Sequence, residues 1–138
     1  MKFYKFLSVF AVAALLSLQS CGPNPEKSRL YLDKGIDYLY HSQFEESIVS
    51  LDKAIEYDPN NYEAYYYRGC AKENNFMREE ALADFMKSIE IKPDYYQPYF
   101  NIGLMYRRIN DMDMACYYFK KAEELGRPKM VDYTKHCK

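Results

Sequence analysis

The 138-residue chain contains no run of eighteen apolar residues, so nothing in it reads as a bilayer-spanning helix, and its length suits one domain. Basic residues nowhere form a block that could neutralise phosphates, which argues against nucleic acid as a partner. Histidine is scarce: His41 lies near a helix end and His136 near the chain terminus. His136 adjoins Cys137, but neighbours at i and i+1 on a helix do not face one another, so they make no nucleophile pair. There is no glycine-rich phosphate loop, no His/Glu metal motif, no GxSxG elbow, and no CxxC or cysteine–histidine spacing suited to zinc. Three carboxylate pairs, Glu45-Glu46, Glu79-Glu80 and Glu123-Glu124, fall at or near helix ends. A solvated face or a helix dipole accounts for them better than acid–base chemistry does. These absences point away from an enzyme and from any cofactor or metal.

What is present is a period. Gly35, Gly69 and Gly103 stand 34 residues apart, and so do Tyr31, Tyr65 and Tyr99. Ser47, Ala81 and Ala115 keep the same spacing, as do Leu51, Phe85 and Phe119, and Ala54, Ser88 and Ala122. Pro59 and Pro93 follow it, with Pro128 one residue late. A fixed period of this length predicts stacked helical units, each needing neighbours to bury its apolar face. The units run over 28–61, 62–95 and 96–129, and each reads as two helices. Turn-prone residues break them near His41-Ser42-Gln43, Asn74-Asn75 and Asn110-Asp111. Asn60 with Glu63 and Asp94 with Gln97 have capping-box spacing, Pro98 suits a first helical turn, and Gly126 followed by Pro128 is a helix stop.

The arrangement resembles the tetratricopeptide repeat, a family of 34-residue helix–turn–helix units. The resemblance implies an all-α fold: a right-handed superhelical array of three such repeats with a short C-terminal cap, 130–138. The glycines then mark close helix crossings, Ser47, Ala81 and Ala115 supply the small facing residue, and the Leu51, Phe85, Phe119 set fills the surrounding space. Lys72 stands where the family usually has an aromatic, which predicts looser packing of the second repeat. Arrays of this family usually end on a full capping helix, whereas here about two turns remain. Apolar surface around Met112, Met114, Cys116 and Phe119 is therefore expected at the C-terminal end, where Met130, Val131 and Tyr133 are the cap or a second copy pairs as a homodimer.

The start of the chain is different in kind. Two lysines in Met1–Lys5 precede the uncharged stretch Phe6–Leu18, a pattern similar to a secretory signal peptide over 1–20. Leu18-Gln19-Ser20-Cys21-Gly22 resembles a bacterial lipobox, which implies lipid on Cys21 and a tether over 21–27; an ordinary signal cut near Ser20 or an uncleaved apolar anchor are the alternatives. Loss of Lys2 and Lys5 takes the basic side chains from 19 to 17 against 20 acidic ones, a net charge of −3. Cys70, Cys116 and Cys137 remain, so at most one disulfide forms within a monomer, and small buried hydrophobes are the plainer reading. No aspartate follows Cys21 to resemble an inner-membrane retention signal, which implies a lipid-anchored envelope protein on the periplasmic face of the outer membrane.

In the resembled family, the first helices of successive repeats line a concave groove for a peptide. The matching positions include Leu32, Ile36 and Tyr40, then Tyr66, Cys70 and Asn74, then Phe100, Leu104, Arg107 and Arg108. A clamp for a terminal carboxylate, seen in some members, would fall on Leu32, Ile36, Tyr67, Gln97 and Asn101, so it is missing. Of the 16 tyrosines, Tyr95-Tyr96 and Tyr117-Tyr118 suggest a second adhesive surface. The implied function is a membrane-anchored adaptor that binds a peptide or protein segment in the groove and assists assembly of an envelope complex. The alternatives are a self-associating scaffold and an accessory regulator of a cell-wall hydrolase or protease.

Overall fold

The computed structural model describes residues 22–135 and 137; the lipidation site expected at Cys21 and the signal segment before it lie outside the described residues. The described residues form seven helices and no strand. They are α1 (Pro25–Tyr40), α2 (Phe44–Tyr57), α3 (Tyr62–Asn74), α4 (Arg78–Ile91), α5 (Tyr96–Arg108), α6 (Met112–Glu124) and α7 (Val131–Thr134). Consecutive helices pair into hairpins α1/α2, α3/α4 and α5/α6, and each hairpin packs on the next.

The crossings are where the glycines predict them. A β-carbon on Gly35 would lie 2.5 Å from Leu51 Cγ, one on Gly69 2.7 Å from Phe85 Cε1, and one on Gly103 2.5 Å from Phe119 Cε1. Leu51, Phe85 and Phe119 are wholly buried as a result. Hydroxyls fasten the same crossings: Ser47 Oγ donates to the Gly35 carbonyl at 2.8 Å. Ser28 Oγ donates to the Ala54 carbonyl in the first hairpin, and in the second the direction reverses, with Ser88 Oγ donating to the Tyr62 carbonyl. One repeat thus carries the hydroxyl on its first helix and the next carries it on its second.

Each short turn inside a hairpin places one residue at positive φ: Ser42 at 59°, Phe76 at 63° and Asn110 at 63°. These too are 34 residues apart. Asparagine and serine tolerate that region, while phenylalanine is unusual there. Gly126, at φ 89°, ends α6 as the sequence predicts.

Helix starts differ from expectation by one residue. Asn61, not Asn60, caps α3 by accepting from Ala64 N, and its amide also donates to Ser28 Oγ at 2.9 Å, tying the first two hairpins. Asn60 instead closes a turn on the Asp58 carboxylate. Asp94 pairs with Lys92, and α5 begins behind Tyr95 with no side-chain cap. The tether is also shorter than 21–27, because Asn24 caps α1 with Pro25 in its first turn. Asn24 N donates to the Tyr57 carbonyl at 2.7 Å, so the chain is already fixed to the end of α2 at that point.

Lys72 does not loosen the second repeat. Its ammonium lies 2.7 Å from Asp84, and Arg68 meets the same carboxylate at 2.6 Å while also holding Asp52 on α2. Asp84 is 4% exposed, so a buried ionic cluster fills the space an aromatic would take.

The C-terminal end is covered, contrary to the expectation of exposed apolar surface. Cys116 on α6 is bonded to Cys137, closing the cap against the third hairpin. Met130 is 2% exposed, and the Tyr133 ring stands 5.0 Å from Phe100 and 5.2 Å from Phe119. Met112, at 40% exposure, and Val131, expected in the cap but 70% exposed, keep some apolar surface there. What argued for pairing of two copies through this end is largely removed.

Candidate functional site

Three walls define a groove of about 660 Å³: Tyr66 from α3, Tyr96, Gln97, Phe100 and Asn101 from α5, and Arg127–Lys129 with Asp132 and Tyr133 from the C-terminal segment. Period and capping put the first two walls in place, since the starts of α3 and α5 are neighbours and the Tyr62 and Tyr95 rings meet at 4.9 Å. The third wall is set by Gly126, which turns the chain back, and by the disulfide.

Of the residues expected in the groove, Tyr66 and Phe100 line it. Leu32 does not: it is 1% exposed and belongs to the core of the first hairpin, against which Ile36 also packs. Leu51 and Ala54 of α2 and Ala64 of α3 close over Leu32. Leu104 packs on the α6 core. Tyr40 is 79% exposed at a turn, and the Asn74 amide folds back on the Cys70 carbonyl at 2.8 Å. Arg108 pairs with Glu73 at 2.8 Å and lines a separate apolar pocket with Leu82, Met105, Tyr106 and Ile109. Arg107 stands over the Tyr133 ring, with its guanidinium carbon 5.1 Å from the centroid.

Tyr95, read from sequence as an outward aromatic, instead packs edge-on against Tyr62 and Tyr66. Tyr117 does face outward, at 54% exposure. The C-terminal wall escaped sequence reading, although the late Pro128 and the paired spacing of Cys116 and Cys137 both mark a chain leaving the repeat register.

Cys70, also expected in the groove, does not line it but lies behind Asn101. Burial raises the Tyr66 hydroxyl well above the ordinary tyrosine value, and burial pushes the Cys70 thiol up to about 12. Cys70 is therefore protonated at neutral pH and is no nucleophile. Asn101 Nδ2 donates to its sulfur at 3.4 Å. Gln97 Oε1, buried in the α5 wall, has no donor among the described residues. No group of three His, Cys, Asp or Glu among the described residues could hold a metal ion.

Stacked antiparallel hairpins with small residues at each crossing and a groove on the side of the first helices define a helical-repeat scaffold. The chain belongs to the tetratricopeptide-repeat family, whose models match residues 35–75 and residues 62–95 and 96–125. Among solved structures it is similar to the first TPR of Spaghetti (RPAP3) bound to the HSP90 peptide SRMEEVD. That likeness has TM-score 0.75 and 17% identity, and covers 84% of this chain and 94% of that one. It is also similar to MamA, at TM-score 0.68 and 28% identity, covering 74% of this chain and 60% of that one. The Protein SGT1 homolog of Oryza sativa subsp. japonica is 32% identical over 62 residues, 45% of this chain and 17% of that protein's length.

Proposed function

We propose that the protein is an interaction adaptor that seats a peptide or protein segment in the groove between α3, α5 and the C-terminal wall. The observation that carries this is the groove itself: aromatic side chains of Tyr66, Phe100 and Tyr133 surround a cleft large enough for several residues. Peptide binding by the Spaghetti domain on the same fold supports the reading. Place in the cell is read from the N-terminus: lipid on Cys21 holds the domain at the envelope, on the periplasmic face of an outer membrane, where it assists assembly of a complex. The Cys116–Cys137 bridge supports an address outside the cytoplasm, since disulfides persist in oxidising compartments.

The test is a photocrosslinking residue at Gln97 in the full chain, expressed in intact cells, with and without Tyr66→Ala plus Phe100→Ala. A discrete crosslinked partner that disappears in the double variant is expected. Crosslinks that persist in a folded double variant would place binding elsewhere.

A further inference from the structure

Several cations of the first two repeats have carboxylate partners: Arg29 meets Asp33 and Glu63, Arg68 meets Asp52 and Asp84, and Lys72 meets Asp84. Others do not, and Lys34 and Lys53 stand over tyrosine rings instead. The cations at the C-terminal end of the groove are of this second kind. Arg107, Arg127 and Lys129 have no carboxylate within ion-pairing distance among the described residues. One carboxylate, Asp132, lines the same wall and lies 3.7 Å from Lys135 in an exposed pair.

The two arginines are held by aromatic rings. The Arg127 guanidinium carbon lies 3.3 Å from the Phe100 centroid and 5.6 Å from that of Tyr133, and Arg107 flanks the same Tyr133 ring at 5.1 Å. Stacking of this kind fixes a guanidinium plane and leaves its edge free to donate. Arg127 uses Nη1 on the Pro128 carbonyl and on Met130 sulfur, which leaves its other N–H groups for an acceptor from outside. Lys129 lines the groove, and its ammonium is not engaged by any acceptor among the described residues. A planar acceptor with two oxygens matches the arginine fork.

We propose that this corner recognises side-chain carboxylates, so that the groove takes an acidic peptide segment bearing an apolar or aromatic residue. The carboxylate sits against Arg127 and Lys129, which both line the groove, and the apolar residue against Phe100 and Tyr66. The corner differs from a terminal-carboxylate clamp in position, since the places such a clamp would use hold Leu32, Ile36, Tyr67, Gln97 and Asn101. The inference rests on the groove reading above and adds the sign of the ligand. A concave wall with aromatic lining suits a peptide better than the flat surface of an anionic membrane.

The experiment uses the full chain in detergent with its disulfide intact, and amidated decapeptide pools sharing one phenylalanine and differing at two positions: glutamate, glutamine or lysine. Fluorescence anisotropy is expected to show the glutamate pool binding about tenfold tighter than the glutamine pool, with the difference shrinking as salt rises. Lys129→Gln, which breaks no internal contact, and Arg127→Gln, checked for folding by circular dichroism, should each erode that preference. Equal binding of the glutamate and glutamine pools, both lost in the Tyr66→Ala and Phe100→Ala double variant, would overturn the acidic ligand and keep the groove. Binding of no pool would overturn both. Displacement of the glutamate pool by phosphatidylglycerol vesicles, but not by phosphatidylcholine vesicles, would assign the corner to lipid and overturn the proposal.

Discussion

Gly69 shows how far a single residue constrains the array. A β-carbon there meets Phe85 at 2.7 and 2.8 Å and the Ala81 carbonyl at 3.2 Å, and the last of these is backbone that cannot swing aside. Gly69→Ala should therefore cost about 1–3 kcal/mol, measured as a shift of the urea unfolding midpoint. Gly126→Ala meets open space but must hold φ 89°, so its cost of about 1–2 kcal/mol comes from backbone strain alone. The residues that set the crossings were legible in the sequence because a side chain missing every 34 residues, opposite a large apolar one, marks two helices in close approach. Leu32 was not legible: the same register places its relatives Tyr66 and Phe100 in the groove, whereas Leu32 is closed in by Leu51, Ala54 and Ala64. Phe76 gave no signal either. Its ring is 79% exposed and its φ is 63°, and a strained, exposed aromatic at a turn is something periodicity cannot reveal.

At the scale of helices, two devices replace what the repeat pattern lacks. One is the ionic cluster that ties α2, α3 and α4 together through Arg68. Asp84→Asn removes the one buried carboxylate in it and leaves Arg68 and Lys72 with side-chain exposures of only 18% and 14%. A loss of about 3 kcal/mol or more is expected by thermal or chemical denaturation, because stranding a buried charge costs more than its pair contributed. The sequence showed Lys72 as a departure, but its partner is not its neighbour in any repeat alignment, so the compensation had to be seen in three dimensions. The other device is the Cys116–Cys137 bridge, which closes a separation of 21 residues. Replacing both cysteines by serine should destabilise by about 2–4 kcal/mol. The loss should be local: hydrogen exchange is expected to rise across α7 and the end of α6 while α1 to α4 keep their protection, since repeats depend mainly on their neighbours. Uniform loss across all helices would show that the bridge supports the whole array.

For the molecule as a whole, the hairpins sort the helix ends onto two edges. The starts of α1, α3 and α5 share one edge: Asn61 bonds Ser28 between the first two, and the Tyr62 and Tyr95 rings meet between the last two. The turns bearing Tyr40, Phe76 and Ile109 occupy the other edge. If lipid is carried on Cys21, only Gly22 and Pro23 separate it from the capped start of α1, a reach of about 7 Å. The starting edge then lies against the bilayer. The 16 residues of α1, at about 1.5 Å each, hold the turns roughly 24 Å further away. Tyr96 and Gln97, in the first turn of α5, line the groove near that edge, so under the same condition a partner would have to be at the membrane or send a segment toward it. The chain has no tryptophan, which makes the geometry measurable with one introduced probe. Asn60→Trp is expected to lose most of its fluorescence in vesicles containing brominated lipid, whereas Phe76→Trp, already exposed and at the far edge, should be nearly unaffected. Equal quenching at both sites would mean that the chain lies flat or is anchored elsewhere, and a membrane-proximal groove would no longer follow from the fold.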